Sequence, residues 1–149
     1  AILKYSRQRN IILDIVKNSY DHPTAETVYK LARKELPSIG IATVYRNLNQ
    51  LVDSGEVIRI SLPGGVDRFD GHLDKHYHSI CPDCGRLTDL NGADEHSLTK
   101  LKDDMGKAFG LDADNEINFR SVILECKCDK CRRQTEKRSF IESHMQISV

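Results

Sequence analysis

The sequence predicts an α+β fold: an N-terminal winged helix-turn-helix domain followed by a small α/β domain. Two observations predict it. Within the first 70 residues, three stretches of helical apolar spacing precede two alternating stretches that flank Pro63-Gly64-Gly65. Beyond Asp74 the order becomes strand, strand, helix, strand. The expected division is a winged-helix domain over 1–70, a hinge over 71–74, an α+β domain over 75–131 and a C-terminal tail over 132–149.

The first helix is expected in Arg7–Ser19, where Ile11, Ile12, Ile15 and Val16 recur at helical spacing. The second follows His22-Pro23. Thr24 is its N-cap, Thr27 stands three residues on, Glu26 lies in the first turn, and Val28, Leu31 and Ala32 form the inner stripe. Pro37 is expected to stop it. The third helix opens at Ile41 after the tight turn around Pro37–Gly40. Ile41, Val44, Leu48, Leu51 and Val52 make one narrow apolar face, and Gly55 closes the helix. A hairpin turning at Pro63-Gly64-Gly65 completes the wing. Further on, "KHYHSI" and "GRLTDL" are expected as strands, "EHSLTKLKDDMGKAFG" as an amphipathic helix and "EINFRSVILECK" as a longer strand. The segment after Cys131 is charged and its pattern predicts no element.

Composition sets few limits. Lys+Arg and Asp+Glu are equal at 22 each among 149 residues. Residues 1–59 carry nine Lys/Arg against six Asp/Glu, and residues 71–149 carry twelve against fourteen, so the N-terminal part is slightly basic. No apolar run approaches the ~20 residues that cross a bilayer, and no signal peptide opens the chain, so the expected compartment is the cytoplasm. In that reducing setting, four of the five Cys in two C-x-x-C pairs point to metal before disulfides.

Between Asp67 and Gly85 the chain crowds nine potential ligands: Asp67, Asp70, His72, Asp74, His76, His78, Cys81, Asp83 and Cys84. Cys81-x-x-Cys84 and Cys128-x-x-Cys131 suit a structural Zn(II), because zinc takes four thiolates in a tetrahedron and each pair forms one knuckle. The 43 residues between the pairs are too long for a minimal finger, so the metal would staple the two ends of a domain. A redox dithiol is the alternative. Cys126 is expected as a packed thiol and not a fifth ligand.

His76-x-His78 is a different signal. Residues i and i+2 of a strand share a face, so both imidazoles can reach one ion. Asp70 before them and Asp89 beyond the first knuckle add carboxylates, a set suited to Fe(II), Mn(II) or Zn(II). The alternative is two surface histidines. His72 and Asp74 flank this motif in a loop and are taken as bystanders. On the third helix, the face opposite the apolar stripe carries Thr43, Arg46, Asn49 and Gln50, with Tyr45 on its flank. These types read base edges and phosphates, so the N-terminal domain is a candidate DNA-binding domain, although a solvated helix face looks similar.

In order, "YSRQR", "HPTAETVY", "IGIATVYRNLNQLVDSGEV", "DRFD", "HYHSICPDCG" and the closing C-x-x-C resemble the Fur family of metal-dependent transcriptional repressors over nearly the whole chain. The resemblance implies a cytoplasmic homodimer, no enzyme, on a palindromic operator of double-stranded DNA, with a winged helix and an α+β dimerisation domain. It implies no membrane and no small-molecule organic substrate. Tyr45 and Arg46 inherit the DNA-contact role, and Cys81, Cys84, Cys128 and Cys131 the structural zinc site.

The peroxide-sensing, PerR-like branch of that family holds regulatory Fe(II) or Mn(II) through three His and two Asp. Here these match His22, Asp70, His76, His78 and Asp89, and iron-sensing members generally carry Glu at the last position. The implied mechanism is Fe(II)-catalysed oxidation of His22 and His76 by hydrogen peroxide, which releases DNA. Mn(II) would clamp without that chemistry, and the thiolates would be spared. Three features depart from the family: only about five residues precede the "RQR" segment, where a further helix is usual; Arg120 stands where members with an additional metal site carry His, so no third site is expected; and the tail after Cys131 is longer than the resemblance implies. The rivals are a repressor reporting iron, manganese or zinc supply, a metallohydrolase built on His76 and His78, and a zinc-stapled module with no second metal.

Overall fold

The computed structural model describes residues 6–62, 64–111, 117–119 and 122–145. In it α1 spans Arg7–Lys17, started by Ser6, whose hydroxyl accepts from the Arg9 N–H. Helix α2 spans Ala25–Ala32, and Thr24 caps it as expected, accepting from the Thr27 N–H at 3.1 Å. It ends sooner than Pro37 alone implies. Beyond Ala32 the backbone tightens to i−3 bonds, Lys34 to Leu31 and Glu35 to Ala32, which carry the chain into the turn.

Helix α3 spans Ile41–Asp53, with Gly40 as its N-cap and Gly55 just past its end at φ 75°. Its buried stripe is Val44, Asn47, Leu48 and Leu51. Ile41, expected inside, is 38% exposed, because the first helical residue stands out before the helix meets the core. Asn47 lies inside instead, its Nδ2 donating to the Thr43 carbonyl at 2.8 Å. That bond satisfies a buried polar group.

Ile12, Val16, Val28, Val44, Leu48 and Leu51 are fully buried where the three helices meet. Each such side chain stabilises by about 1.5–3 kcal/mol. Strands β1 (Ile58–Ile60) and β2 (Arg68–Asp70) form an antiparallel wing, with Arg59 opposite Phe69. Pro63 of the expected turn lies outside the described residues. Phe69 seals the helical core, and its N–H donates to the Pro23 carbonyl. That bond lays β2 against the start of α2.

Contacts divide the chain into two compact units, one ending at Lys75 and the other beginning at His76. In the second, β3 (Tyr77–Ile80) is central, with antiparallel β4 (Leu87–Leu90) on one side and parallel β5 (Ile123–Glu125) on the other. Parallel neighbours need a long crossover. Helix α4 (Glu95–Phe109) lies within it, capped by Asp94 and ended by Gly110 in the left-handed region at φ 65°.

The expected long strand is confined to Ile123–Glu125 among the described residues. Ile117–Phe119 are not in a strand, and Glu116, Arg120 and Ser121 lie outside the described residues. The segment leaves the sheet after Glu125 to build the second cysteine knuckle. Helix α5 (Asp129–Met145) starts on that knuckle, so a helix occupies much of the segment for which the sequence predicted no element. No described helix is long and apolar enough to cross a membrane.

Candidate metal centres and nucleic-acid interface

The four paired cysteines converge. Each of Cys81, Cys84, Cys128 and Cys131 offers a sulfur within 4.8 Å of the others, and Cys84 Sγ lies 3.7 Å from Cys128 Sγ. Thiolates held at about 2.3 Å from a tetrahedral zinc lie about 3.8 Å apart. The donor set therefore fits Zn(II). The first knuckle is a tight turn at the end of β3, closed by the Gly85 N–H on the Cys81 carbonyl at 2.8 Å. An ion pair between Lys127 and Asp83, 3.1 Å, ties it to the second.

The thiols polarise one another. Backbone N–H groups, that of Cys128 foremost, lower Cys81 to about 6, and the Cys131 N–H lowers Cys128. Cys131 is pushed up to about 12, chiefly because it donates to Cys128 and then to Cys84. Such a cluster is primed to trade protons for a cation.

Cys126 lies apart from the four. It was expected to be packed, yet it is exposed. The reason is local: its N–H still bonds the Ile80 carbonyl as β5 ends, and the chain then turns outward to the knuckle.

A second donor set lies on the same sheet. His78 on β3 is register partner to Asp89 on β4. His76 immediately precedes β3 and shares the face of His78, their Nε2 atoms 3.0 Å apart. Asp89 Oδ1 lies 3.5 Å from His76 Nε2 and 3.6 Å from His78 Nε2. Donors about 2.1 Å from an ion stand about 3.0 Å apart at a right angle and about 3.4 Å apart at the tetrahedral angle. Two imidazoles and a carboxylate at these spacings fit a divalent ion.

Within the N-terminal unit, His22 and Asp70 form another pair. Both side chains are 1% exposed, and His22 Nε2 lies 3.6 Å from Asp70 Oδ2. His22 has φ 50°, the one positive value outside glycine among the described residues. For a non-glycine residue that conformation costs about 1–3 kcal/mol, and such strain concentrates at functional sites. The neighbourhood enforces it: the Arg68 guanidinium donates to the His22 carbonyl at 3.2 Å, and Pro23 is bound to β2.

His72, taken from sequence as a bystander, is placed beside Asp70. Its N–H donates to Asp70 Oδ1 at 2.8 Å, and its Nδ1 lies 3.3 Å from the same oxygen. No spacing rule could have found this contact, because it depends on how the chain turns after β2.

On α3, Tyr45, Arg46, Asn49 and Gln50 are exposed and Thr43 is half-buried. Two arginines from other elements reach this face: Arg9 of α1 donates to Gln50 Oε1, and Arg59 of β1 donates to Asn49 Oδ1. The sequence did not single out either. The Arg9 guanidinium adds positive charge to this face, whereas Arg59 Nε lies 3.7 Å from Asp67 Oδ2, which offsets its charge.

Comparison with known proteins agrees with this arrangement. The sequence profile described as the Ferric uptake regulator family matches residues 1–113. The peroxide operon regulator of Bacillus subtilis is 38% identical over 95 residues, 62% of this chain and 66%, just under two thirds, of that protein. The peroxide-responsive repressor PerR of Staphylococcus aureus is 32% identical over 132 residues, covering 89% of this chain and 84% of that one. Among solved structures, the Campylobacter jejuni peroxide stress regulator superposes with a TM-score of 0.64 at 34% identity, over 83% of this chain and 88% of that one. The iron-containing ferric uptake regulator of Francisella tularensis superposes at 0.68 with 26% identity, over 87% and 94%.

Proposed function

The chain belongs to the Ferric uptake regulator family of metal-dependent repressors, and from this we propose that it senses hydrogen peroxide through its metal-ligating histidines. The observation that carries the proposal is the donor set on the β3–β4 sheet: two imidazoles and an aspartate spaced for one divalent ion. The similarity to peroxide regulators supports it.

His76, His78 and Asp89 hold one Fe(II) or Mn(II), and His22 and Asp70 complete its shell. The four paired cysteines hold a structural Zn(II). Five nitrogen and oxygen ligands from two parts of the chain make the ion a clamp between the DNA-binding part and the remainder. An ion that favours the clamped form shifts the population toward DNA binding, and by linkage the operator tightens the ion in return. The protein acts as a homodimer on a palindromic operator, since two recognition helices must match successive major-groove faces. Thr43, Tyr45, Arg46, Asn49 and Gln50 face the DNA.

Fe(II) held by these residues would give one electron to cleave the O–O bond of peroxide and take one back from the ring adduct, with no net change at iron. One oxygen would end on a ring carbon of His22 or His76, and the other would leave as water. The oxidised ring is a poorer ligand, so the clamp opens and repression lifts. Each chain switches once. Zinc-bound thiolates form a closed set and are spared.

Mass spectrometry of the peptides carrying His22 and His76, after brief dilute peroxide, tests the proposal on Fe(II)- and Mn(II)-loaded protein. One added oxygen on those rings, with iron alone, is expected. Unmodified rings in the iron-loaded protein would overturn it and leave a repressor that reports metal supply, the reading favoured by the likeness to the iron-containing Francisella regulator.

A further inference from the structure

We propose that Tyr20 and His72 form a positioning device that commits Asp70 to the regulatory ion through one oxygen only. This inference rests on the assignment of Asp70 as a ligand under the proposed function.

The two oxygens of Asp70 face different surroundings. Oδ1 accepts the His72 N–H at 2.8 Å and lies 3.3 Å from His72 Nδ1. Oδ2 points to His22 Nε2 at 3.6 Å. Two nitrogens of residue 72, the backbone N–H and the ring Nδ1, thus lie against Oδ1. Oδ2 is the oxygen turned toward His22. The backbone bond would survive any substitution at 72 but proline, whereas the second contact is made by the imidazole itself.

Two features hold that imidazole in place. Its ring stacks on Tyr20, centroids 5.5 Å apart and planes 28° apart. Gly71 lets the 70–72 segment lie against the end of α1, where an added Cβ would fall 2.7 Å from Lys17 Cα. Tyr20 is 78% exposed, so burial does not explain its position over His72.

A carboxylate pinned at one oxygen binds as a monodentate ligand. Asp70 would then contribute one donor atom and not two. Without the imidazole, Oδ2 is aimed less well and Oδ1 can swing toward the ion, which weakens the existing bond and raises the coordination number.

The test uses full-length protein with its zinc retained, titrated with Mn(II) and, separately, Co(II). His72→Ala is expected to weaken Mn(II) binding about tenfold or more, the range seen when a group orienting a ligand is removed. Tyr20→Ala should shift affinity the same way by less. His72→Asn, whose amide N–H can replace Nδ1–H, should recover most of the loss. The Co(II) visible bands of His72→Ala should weaken as coordination rises, with zinc at one per chain throughout. Equal Mn(II) affinity and an unchanged Co(II) spectrum in His72→Ala, against a wild type that binds, would overturn the device alone. A wild type that takes up no second ion would overturn the regulatory-site assignment as well.

Discussion

His78 and Asp89 face each other as register partners across β3 and β4, with Nε2 and Oδ1 3.6 Å apart. Directly opposed residues of an antiparallel pair share a face, and His76, two positions before His78, joins them there. The sheet therefore presents two donors on a backbone held by ladder hydrogen bonds, with the third on the residue just before β3. Asp89→Ala should weaken Mn(II) binding at least about a hundredfold, more than loss of an outer partner costs. Zinc content should stay constant. Competition with a fluorescent chelator measures it, and a wild-type affinity in the variant would remove Asp89 from the shell.

Zinc uptake should release fewer than four protons at pH 7.5. Cys81, lowered to about 6 chiefly by the Cys128 N–H, is already a thiolate there, whereas Cys131, raised to about 12 by its donation to Cys128, must give up its proton. A thiolate favoured in the folded state contributes fully above the ordinary value of 9.0 and loses that contribution as pH falls through about 6. Proton competition with zinc, already present through Cys131, should therefore steepen as pH drops past 6 and Cys81 takes up its proton. Calorimetry in two buffers of different ionisation enthalpy counts the protons, and a count of four would contradict the lowered Cys81.

Gly71→Ala should destabilise the N-terminal unit. The added Cβ would meet backbone of Lys17 at 2.7 and 2.9 Å, where no flexible side chain can give way. Overpacking of this kind costs about 1–3 kcal/mol. Urea denaturation followed by circular dichroism reads the change. A midpoint equal to wild type would show that the segment relaxes freely.

Arg46→Ala should weaken operator binding without lowering the melting temperature, because Arg46 is exposed on α3 and absent from the core. If Arg46 contacts a phosphate, the slope of log affinity against log salt should fall by about 1. If it contacts a base edge, sequence preference should relax while the slope holds. Fluorescence anisotropy over a salt series separates the two, and unchanged affinity would take Arg46 off the interface.

Sequence alone determined the order of elements as far as β5 and the candidate ligand types. Helical periodicity located α1 to α3, Thr24 announced α2, and the paired C-x-x-C spacing picked out the four cysteines that converge, because each signal is carried by residues close together in the chain. Tertiary structure decided what depends on distant segments meeting. It moved Ile41 outward and Asn47 inward, since a helix's buried arc depends on what packs against it. It left Cys126 exposed because β5 ends there and the chain turns to the knuckle. Above all it set His72 on Asp70 and Tyr20, and Arg9 and Arg59 on Gln50 and Asn49. Those contacts follow from the path of the backbone between β2 and α1, and around α3, which no local pattern of side chains encodes.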